Sequence, residues 1–446
     1  MARLNKTPFE SQIIDLADDG RGVGRREGGK TVFVWGALPG ERVLARQTRR
    51  TRDFDQAVTV GVLEASPDRV EPRCPHYGTC GGCSLQHLDG SRQIEAKQAA
   101  LLRQFGEVGV APATVLPPLV DAAWGYRRKG RLSVRRVEKK DRTLVGFREL
   151  DPRFVAELGE CHVAVPQVGM KLGALSALVD SLGARHAIPQ IEFIAGADAV
   201  ALVFRHLEPL EAGDRETLAA FGQAHGFAIL LQPGGIDSVH PLWPAEAPAL
   251  SFRLPAWDVE LGFQPLDFIQ VNAGLNQKMI ALALQLLDAG PGHRVLDLFC
   301  GLGNFTLPLA RTAGAVVGVE GEPGLVARAR ENAARNGIAN AEFHAADLTL
   351  DQRDAPWMAQ GFDRLLLDPP RSGAIDVLRQ LPLERFGRIV YVSCHPGSLA
   401  RDAAHLVNER GWKLAGAGVM DMFPHTAHVE SIAMFEPGRG GGTHAH

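Results

Sequence analysis

The chain has 446 residues, 45% hydrophobic and 22% charged, an ordinary globular composition and enough length for two or three domains. It contains no run of about 18 apolar residues, and its first residues, MARLNKTPFE, lack an apolar core, so neither a membrane span nor a secretory signal is expected. The net charge of −3 hides two basic stretches: residues 1–60 carry 11 Lys and Arg against 8 Asp and Glu, and residues 121–153 carry 11 against 5.

Residues 1–66 read as short strands broken by glycine, at 12–16, 30–35, 41–48 and 57–63. A small OB-like β-barrel fits this pattern, with Arg49, Arg50 and Arg52 projecting near the last turn. Such barrels often bind single-stranded nucleic acid on a basic face, although a purely structural β-domain has the same strand pattern. A cysteine window, CPHYGTCGGC, follows with Cys74, Cys80 and Cys83, and Cys161 comes later in GECHV. A cytoplasmic protein, as expected here, keeps thiols reduced, so disulfides explain these cysteines poorly. On spacing alone the four could hold zinc or an iron–sulfur cluster, and C-x5-C is not the usual zinc spacing.

Residues 91–105, SRQIEAKQAALLRQF, have helical periodicity, with Ile94, Leu101, Leu102 and Phe105 near one face and Ser91 as the start signal. Residues 115–255 alternate strand-like runs (130–137, 144–147, 190–194, 199–204) with a helical run near 168–181. We read residues 67–257 as a central α+β domain carrying the metal site, with the 91–105 helix free to pack on the next domain. From about 258 the pattern becomes strand–helix–strand, as in a doubly wound, Rossmann-like α/β domain spanning 258–446. The tail GRGGGTHAH is low in complexity and is expected to be disordered.

The segment HRVLDLFCGLGNFTLPLA combines a buried strand, a tight Gly301-Leu302-Gly303 turn and a helix start. Glycine lets the backbone approach a ligand without an intervening Cβ. The next strand ends in Glu320, where an acid usually binds ribose hydroxyls. Position 306 is Thr, not the third glycine of a dinucleotide fingerprint, and Asp297 in the first strand opposes a pyrophosphate. That carboxylate suits a ligand with an amino group, so the loop favours S-adenosylmethionine over a dinucleotide. Asp347 in HAADL and Asp368 in LLLDPPRSG follow further strands, so Asp297, Glu320, Asp347 and Asp368 should converge at the carboxyl edge of the sheet.

Cys394, in IVYVSCHPG, follows another strand and should open onto the same edge. A buried structural role is the commoner state of a cysteine, and Cys300 beside the glycine loop is expected to have that role. A strand-end cysteine before His-Pro, near a site for a cation, points instead to a nucleophile. Glu430 lies in a strand-like run among Val429, Ile432 and Met434, an unexpected place for an idle carboxylate. These groups suit one reaction. Uracil C5 is too weak a nucleophile to take a methyl group directly. A thiolate adding at C6 activates C5, and a base must then remove the C5 proton. Cys394 would be the nucleophile and Glu430 the base, acting on a uridine that is flipped out or single-stranded.

The motifs DLFCGLGNFT, DPPRSG, VSCHP and HVES resemble those of the RNA uracil-C5 methyltransferase family over nearly the whole chain. A TRAM-type barrel and the cysteine set point to its 23S rRNA branch. The resemblance implies Cys394 as nucleophile and Glu430 as proton acceptor. It implies cofactor contacts at Gln270, Phe299, Asn304, Glu320, Asp347 and Asp368, and a [4Fe-4S] cluster on Cys74, Cys80, Cys83 and Cys161 with a structural role. The segment WGYRRKGRLSVRR resembles the family's basic segment, so Arg127, Arg128, Lys129 and Arg131 are expected to meet phosphates of 23S rRNA, with Trp124 and Tyr126 either stacking on bases or packing in the core. The protein is expected to act as a monomer. Rival readings are the same chemistry on tRNA or another rRNA position, methylation at cytosine C5 or an exocyclic nitrogen, and a non-catalytic RNA-binding protein with a vestigial cofactor fold. The DPPR motif has no cysteine where cytosine-C5 DNA enzymes carry theirs, and amino methylation needs no Cys/Glu pair.

Overall fold

The computed structural model describes residues 7–26 and 28–438; nearly all of the glycine-rich tail lies outside them. Five strands close the N-terminal barrel: β1 (Phe9–Leu16), β2 (Gly22–Arg25), β3 (Thr31–Trp35), β4 (Arg42–Arg50) and β5 (Phe54–Glu64), in the order β1-β2-β3-β5-β4. Strand β2 was not expected from sequence, because its GVGR has only one apolar side chain. Its glycines let β1 and β2 approach closely: a Cβ at Gly24 would meet Ser11 Oγ at 2.4 Å. Ile13, Val32, Val34, Val43 and Ala57 fill the barrel. The buried Glu41 carboxylate accepts from the amides of Leu38 and Ser66 and from Arg69, tying the barrel to the segment that follows.

Helix α1 (Gly90–Glu107) is capped by Asp89, whose carboxylate accepts from the Ser91 amide at 2.9 Å. The expected serine cap is thus replaced by the stronger acceptor two residues earlier. A short strand, β6 (Thr114–Val115), comes next, and the chain then builds a six-stranded sheet. Its strands are β7 (Lys129–Val137), β8 (Arg142–Gly146), β9 (Gln190–Ala195), β10 (Val200–Arg205), β11 (Phe227–Gln232) and β12 (His240–Trp243), in the order β12-β11-β10-β9-β7-β8. Helices α2 (Pro166–Gly169), α3 (Leu172–Ser181) and α4 (Ala212–His225) accompany it. The hairpin β13 (Leu250–Leu254) and β14 (Val259–Phe263) leads into the C-terminal domain.

That domain is a doubly wound α/β fold. In chain order it contains α5 (Ala273–Leu287), β15 (Arg294–Leu298), α6 (Thr306–Ala310), β16 (Ala315–Glu320), α7 (Pro323–Arg335), β17 (Ala341–Ala345), β18 (Arg364–Leu367), α8 (Ile375–Leu378), β19 (Arg388–Ser393), α9 (Pro396–Ala404), β20 (Trp412–Met420) and β21 (Glu430–Pro437). The sheet order is β17-β16-β15-β18-β19-β21-β20-β6. Pairing is parallel from β17 to β19, and β21 is antiparallel to both its neighbours. The all-apolar runs of β18 and β19 follow from burial on both faces. Two pieces from earlier in the chain complete this domain. Strand β6 pairs with β20 at the sheet edge, and α1 places Ile94, Leu101 and Phe105 in the core with Leu296, Tyr391 and Leu399. Among the described residues, no helix is long and apolar enough to cross a membrane.

Candidate active site

The carboxyl ends of β15, β16, β18 and β19 open onto one pocket of about 770 Å³. Gln270, Phe299, Asn304, Glu320, Asp347, Asp368, Cys394 and Glu430 all line it. The glycine loop is shaped by left-handed backbone at Phe299 (φ 65°), Gly301 (φ 55°) and Gly303 (φ 90°). Such a φ is costly for a phenylalanine. It is held by the Phe299 and Cys300 amides, which both donate to the Val319 carbonyl at 2.8 and 3.1 Å. Asn304 locks the loop's far end to α5 by exchanging two amide hydrogen bonds with Asn276, at 2.9 and 3.0 Å.

Glu320, Asp347 and Asp297 are placed by local hydrogen bonds. Glu320 accepts from the amides of Gly301 and Glu322, both at 3.1 Å. Asp347 accepts from the amide and hydroxyl of Thr349, which hold it below the usual carboxylate range. Asp368 lies deep in the protein yet borders the pocket, and burial pushes its pKa up to about 7. Asp297 corrects the expected convergence of four acids. It is fully buried beneath the loop, accepting from the Thr306 hydroxyl, and does not line the pocket. Burial, with Asp368 and Glu320 nearby, pushes its pKa up to about 8, and its Oδ1 has no hydrogen-bond partner. An uncompensated buried carboxyl under a pocket edged by further acids fits a ligand carrying positive charge and an amino group.

Cys394 sits in the turn between β19 and α9. Its flanks are rigid: Ser393 Oγ accepts from the His395 amide, and His395 Nδ1 caps α9 through the Ser398 amide, each at 3.1 Å. Glu430, the first residue of β21, is 4% exposed. Burial, reinforced by Asp368, pushes its pKa up to about 8, while Arg371 and Lys97 pull it back. Burial likewise pushes the Cys394 thiol up to about 11, with Glu430 and Asp368 adding and Arg371 opposing. A second groove of about 430 Å³, bordered by Asp18 and Trp35 of the barrel, Gly82 and Gln104, also reaches Cys394, Arg371 and His428. Cys394 is therefore approachable from two sides. Arg371, His428 and Phe423 also line the main pocket and were not among the expected site residues. The motifs DPPRSG and HVES contained two of them, but nothing in the pattern distinguished these residues from turn residues.

The basic segment is used differently from expectation. Arg127 lines the pocket, and Arg131 remains largely exposed beside Glu192 at 2.9 Å. Arg128 is 6% exposed; its Nε donates to the Gln270 carbonyl at 2.8 Å and its guanidinium lies over the Phe252 ring at 4.4 Å. Lys129 donates to the carbonyls of Pro265 (3.2 Å) and Asp267. These two cations join β7 to the segment carrying Gln270 and are not displayed towards phosphates. Tyr126 is buried, and Trp124 stacks on His425 at 3.9 Å.

Cys80, Cys83 and Cys161 pack against one core, and the thiols of Cys74, Cys80, Cys83 and Cys161 lie within one another's electrostatic reach. Burial, then proximity to the other thiols, pushes Cys80 up to about 11 and Cys83 up to about 12. Among the described residues, no three His, Cys, Asp or Glu side chains close on a single metal ion. Cys300 is buried, with its Sγ against the backbone of Gly318, in the expected packing role.

The family model of tRNA (uracil-5-)-methyltransferases matches residues 263–437. The chain is 70% identical over 437 residues to the 23S rRNA (uracil(1939)-C(5))-methyltransferase RlmD of Xanthomonas campestris pv. campestris (strain 8004), covering 97% of this chain and 98% of that protein. It is 67% identical over 438 residues to the enzyme of the same description from Stenotrophomonas maltophilia (strain K279a), covering 98% of each. Among solved structures it is similar to the Pyrococcus abyssi tRNA (uracil-54, C5)-methyltransferase in complex with S-adenosyl-L-homocysteine, with a TM-score of 0.73 and 24% identity over 96% of this chain and 99% of that one. At that identity the likeness is one of fold.

Proposed function

The chain belongs to the RNA uracil-C5 methyltransferase family, and we propose that it methylates C5 of a uridine in 23S rRNA, at the position corresponding to uracil 1939. The observation that carries the chemistry is the opening of Cys394 and Glu430 onto one pocket floored by the glycine loop. The choice of RNA is supported by the printed activity of relatives 67–70% identical over nearly the full length.

S-adenosylmethionine, when bound, supplies an electrophilic methyl group on a positively charged sulfur. Gln270, Phe299, Asn304, Glu320, Asp347 and Asp368 are the residues proposed to hold it. The Cys394 thiol gives its proton to solvent and adds as the thiolate to C6 of the uracil; the C5–C6 electron pair becomes available at C5 to take the methyl group, and the demethylated cofactor would leave as a neutral thioether. Glu430 then removes the remaining C5 proton. The C–H electron pair re-forms the C5–C6 double bond, and the thiolate leaves C6. A carboxyl raised to about 8 is a base matched to neutral pH. The flipped uridine enters through the groove beside the barrel. Arg127 and Arg131, with Arg49, Arg50 and Arg52 of a TRAM-type barrel, meet RNA phosphates and set its register.

Cys74, Cys80, Cys83 and Cys161 are proposed to hold a [4Fe-4S] cluster. Four neighbouring thiols, kept protonated first by burial, become ligands when a cationic group compensates their charge. The cluster's role is structural, joining the segment after the barrel to the central sheet. The protein is proposed to act in the cytoplasm as a monomer. Mass-spectrometric mapping of 5-methyluridine in rRNA from a deletion strain tests the assignment. Loss at the 1939 position, restored by the wild-type chain and not by Cys394→Ala, is expected; an unchanged map refutes it.

A further inference from the structure

Outside the lining of the main pocket, the chain buries an ammonium group. Lys97 lies in the middle of α1 and is 3% exposed. Its Nζ donates to Asp421 Oδ1 at 2.6 Å and to the Phe423 carbonyl at 3.0 Å. Gln93, one turn earlier on the same face, donates to the carbonyls of Leu85 and Leu88 and accepts from the His425 amide. Burying a lysine charge is expensive, and apolar packing serves stability at least as well. What these two side chains hold is the connection between β20 and β21. Asp421 directly follows Met420, which pairs across the sheet with Glu430. Phe423 and His428, on the same connection, line the pocket. The ammonium thus anchors the loop at the end adjoining the proposed base.

We infer that Lys97 is a positioning residue for Glu430: it locks the loop that sets this carboxylate against C5 of the uracil. The inference rests on the role proposed above for Glu430. The groups facing Glu430 are Asp368 and Arg371 from the turn after β18, the Cys394 thiol after β19, and Lys97 from α1. Asp368 disfavours the carboxylate, and the two cations favour it. Arg371 approaches His428 Nδ1 at 3.3 Å in an exposed setting. Lys97 is the cation fixed in place, by the Asp421 carboxylate and the Phe423 carbonyl. It comes from a helix laid down more than 150 residues before β15, the first of the parallel strands of the catalytic sheet.

The test uses full-length protein, S-adenosylmethionine and an RNA substrate tritiated at uridine C5. Covalent adduct formation reports Cys394, and tritium release reports proton removal. Lys97→Met leaves Asp421 unpaired, so the double variant Lys97→Met/Asp421→Asn is made beside it to keep the buried site neutral. In the double variant, adduct formation should stay within about threefold of the parent, while tritium release at pH 7 falls about tenfold. A folded double variant with parental release overturns the inference. So does loss of fold in both variants, which would assign Lys97 to stability alone. A parent enzyme that forms no adduct refutes the reading of Cys394 and Glu430 themselves, and the inference falls with it.

Discussion

Replacing Glu430 with glutamine should stabilise the protein while stopping its reaction, and the stabilisation should depend on pH. The carboxyl titrates near 4.5 when unperturbed and is pushed up to about 8 by burial in the fold. A group whose folded pKa is raised contributes stability fully present below its unfolded value, lost as pH rises through the folded one. Glutamine has the same shape and does not ionise. Each pH unit in the gap is worth somewhat over 1 kcal/mol, so the gap from 4.5 to about 8 sets a scale on the order of 4–5 kcal/mol. The two proteins should therefore unfold alike near pH 4.5, and the variant should gain from there to a plateau above pH 8. Urea unfolding at pH 4.5, 7 and 9, without cofactor or RNA, measures this. A difference in stability that is the same at all three pH values refutes the assignment of a neutral, buried carboxyl. The kinetic counterpart is an SDS-resistant protein–RNA adduct that accumulates in the variant. In the parent, proton removal should accelerate roughly tenfold from pH 7 to pH 9, as the carboxyl goes from about a tenth to about nine-tenths ionised.

Cys394→Ala should abolish methyl transfer and adduct formation while leaving the dissociation constant for S-adenosylmethionine, read by calorimetry, within about threefold. Phe105→Ala removes a fully buried ring where α1 meets the catalytic domain and should cost about 3–5 kcal/mol in chemical denaturation. Gly303→Ala places a side chain at φ 90° with a Leu307 carbon 3.1 Å from the new Cβ, and should weaken cofactor binding about tenfold or more in the same calorimetric assay. Anaerobically purified protein should be brown with about four irons per chain, and Cys83→Ser should lose both colour and iron; a colourless parent with stoichiometric zinc would overturn the cluster.

Much of the catalytic half is written locally. The strand ending at Leu298, the turn at Gly301 and Gly303, and the placement of Cys394 directly after an apolar strand are all short-range patterns, and the structure has them at those positions. The barrel was legible as a strand-rich segment, but β2 was not, because glycines chosen for close approach leave no hydrophobic alternation to read. Asp297 lay on the right strand, yet its alternation in the pleat sends it beneath the loop, where the Thr306 hydroxyl holds it.

By itself the sequence determined the kind of chemistry available: a nucleophilic thiol, a buried carboxylate, a glycine loop with acids at strand ends, and four clustered thiols. These depend on residue type and near-neighbour spacing, which survive without coordinates. Only the tertiary structure decided which charges are free to act. Four cations in the basic segment look equivalent along the chain, but Arg128 and Lys129 spend their donors on carbonyls of residues 265–270, while Arg127 borders the pocket and Arg131 pairs with Glu192 near the surface. It also decided that α1 belongs to the catalytic core, and that Lys97 lies against a loop more than 300 residues away. Burial and long-range pairing set the protonation of Cys394, Glu430 and Asp368, and both are properties of packing that no local pattern encodes.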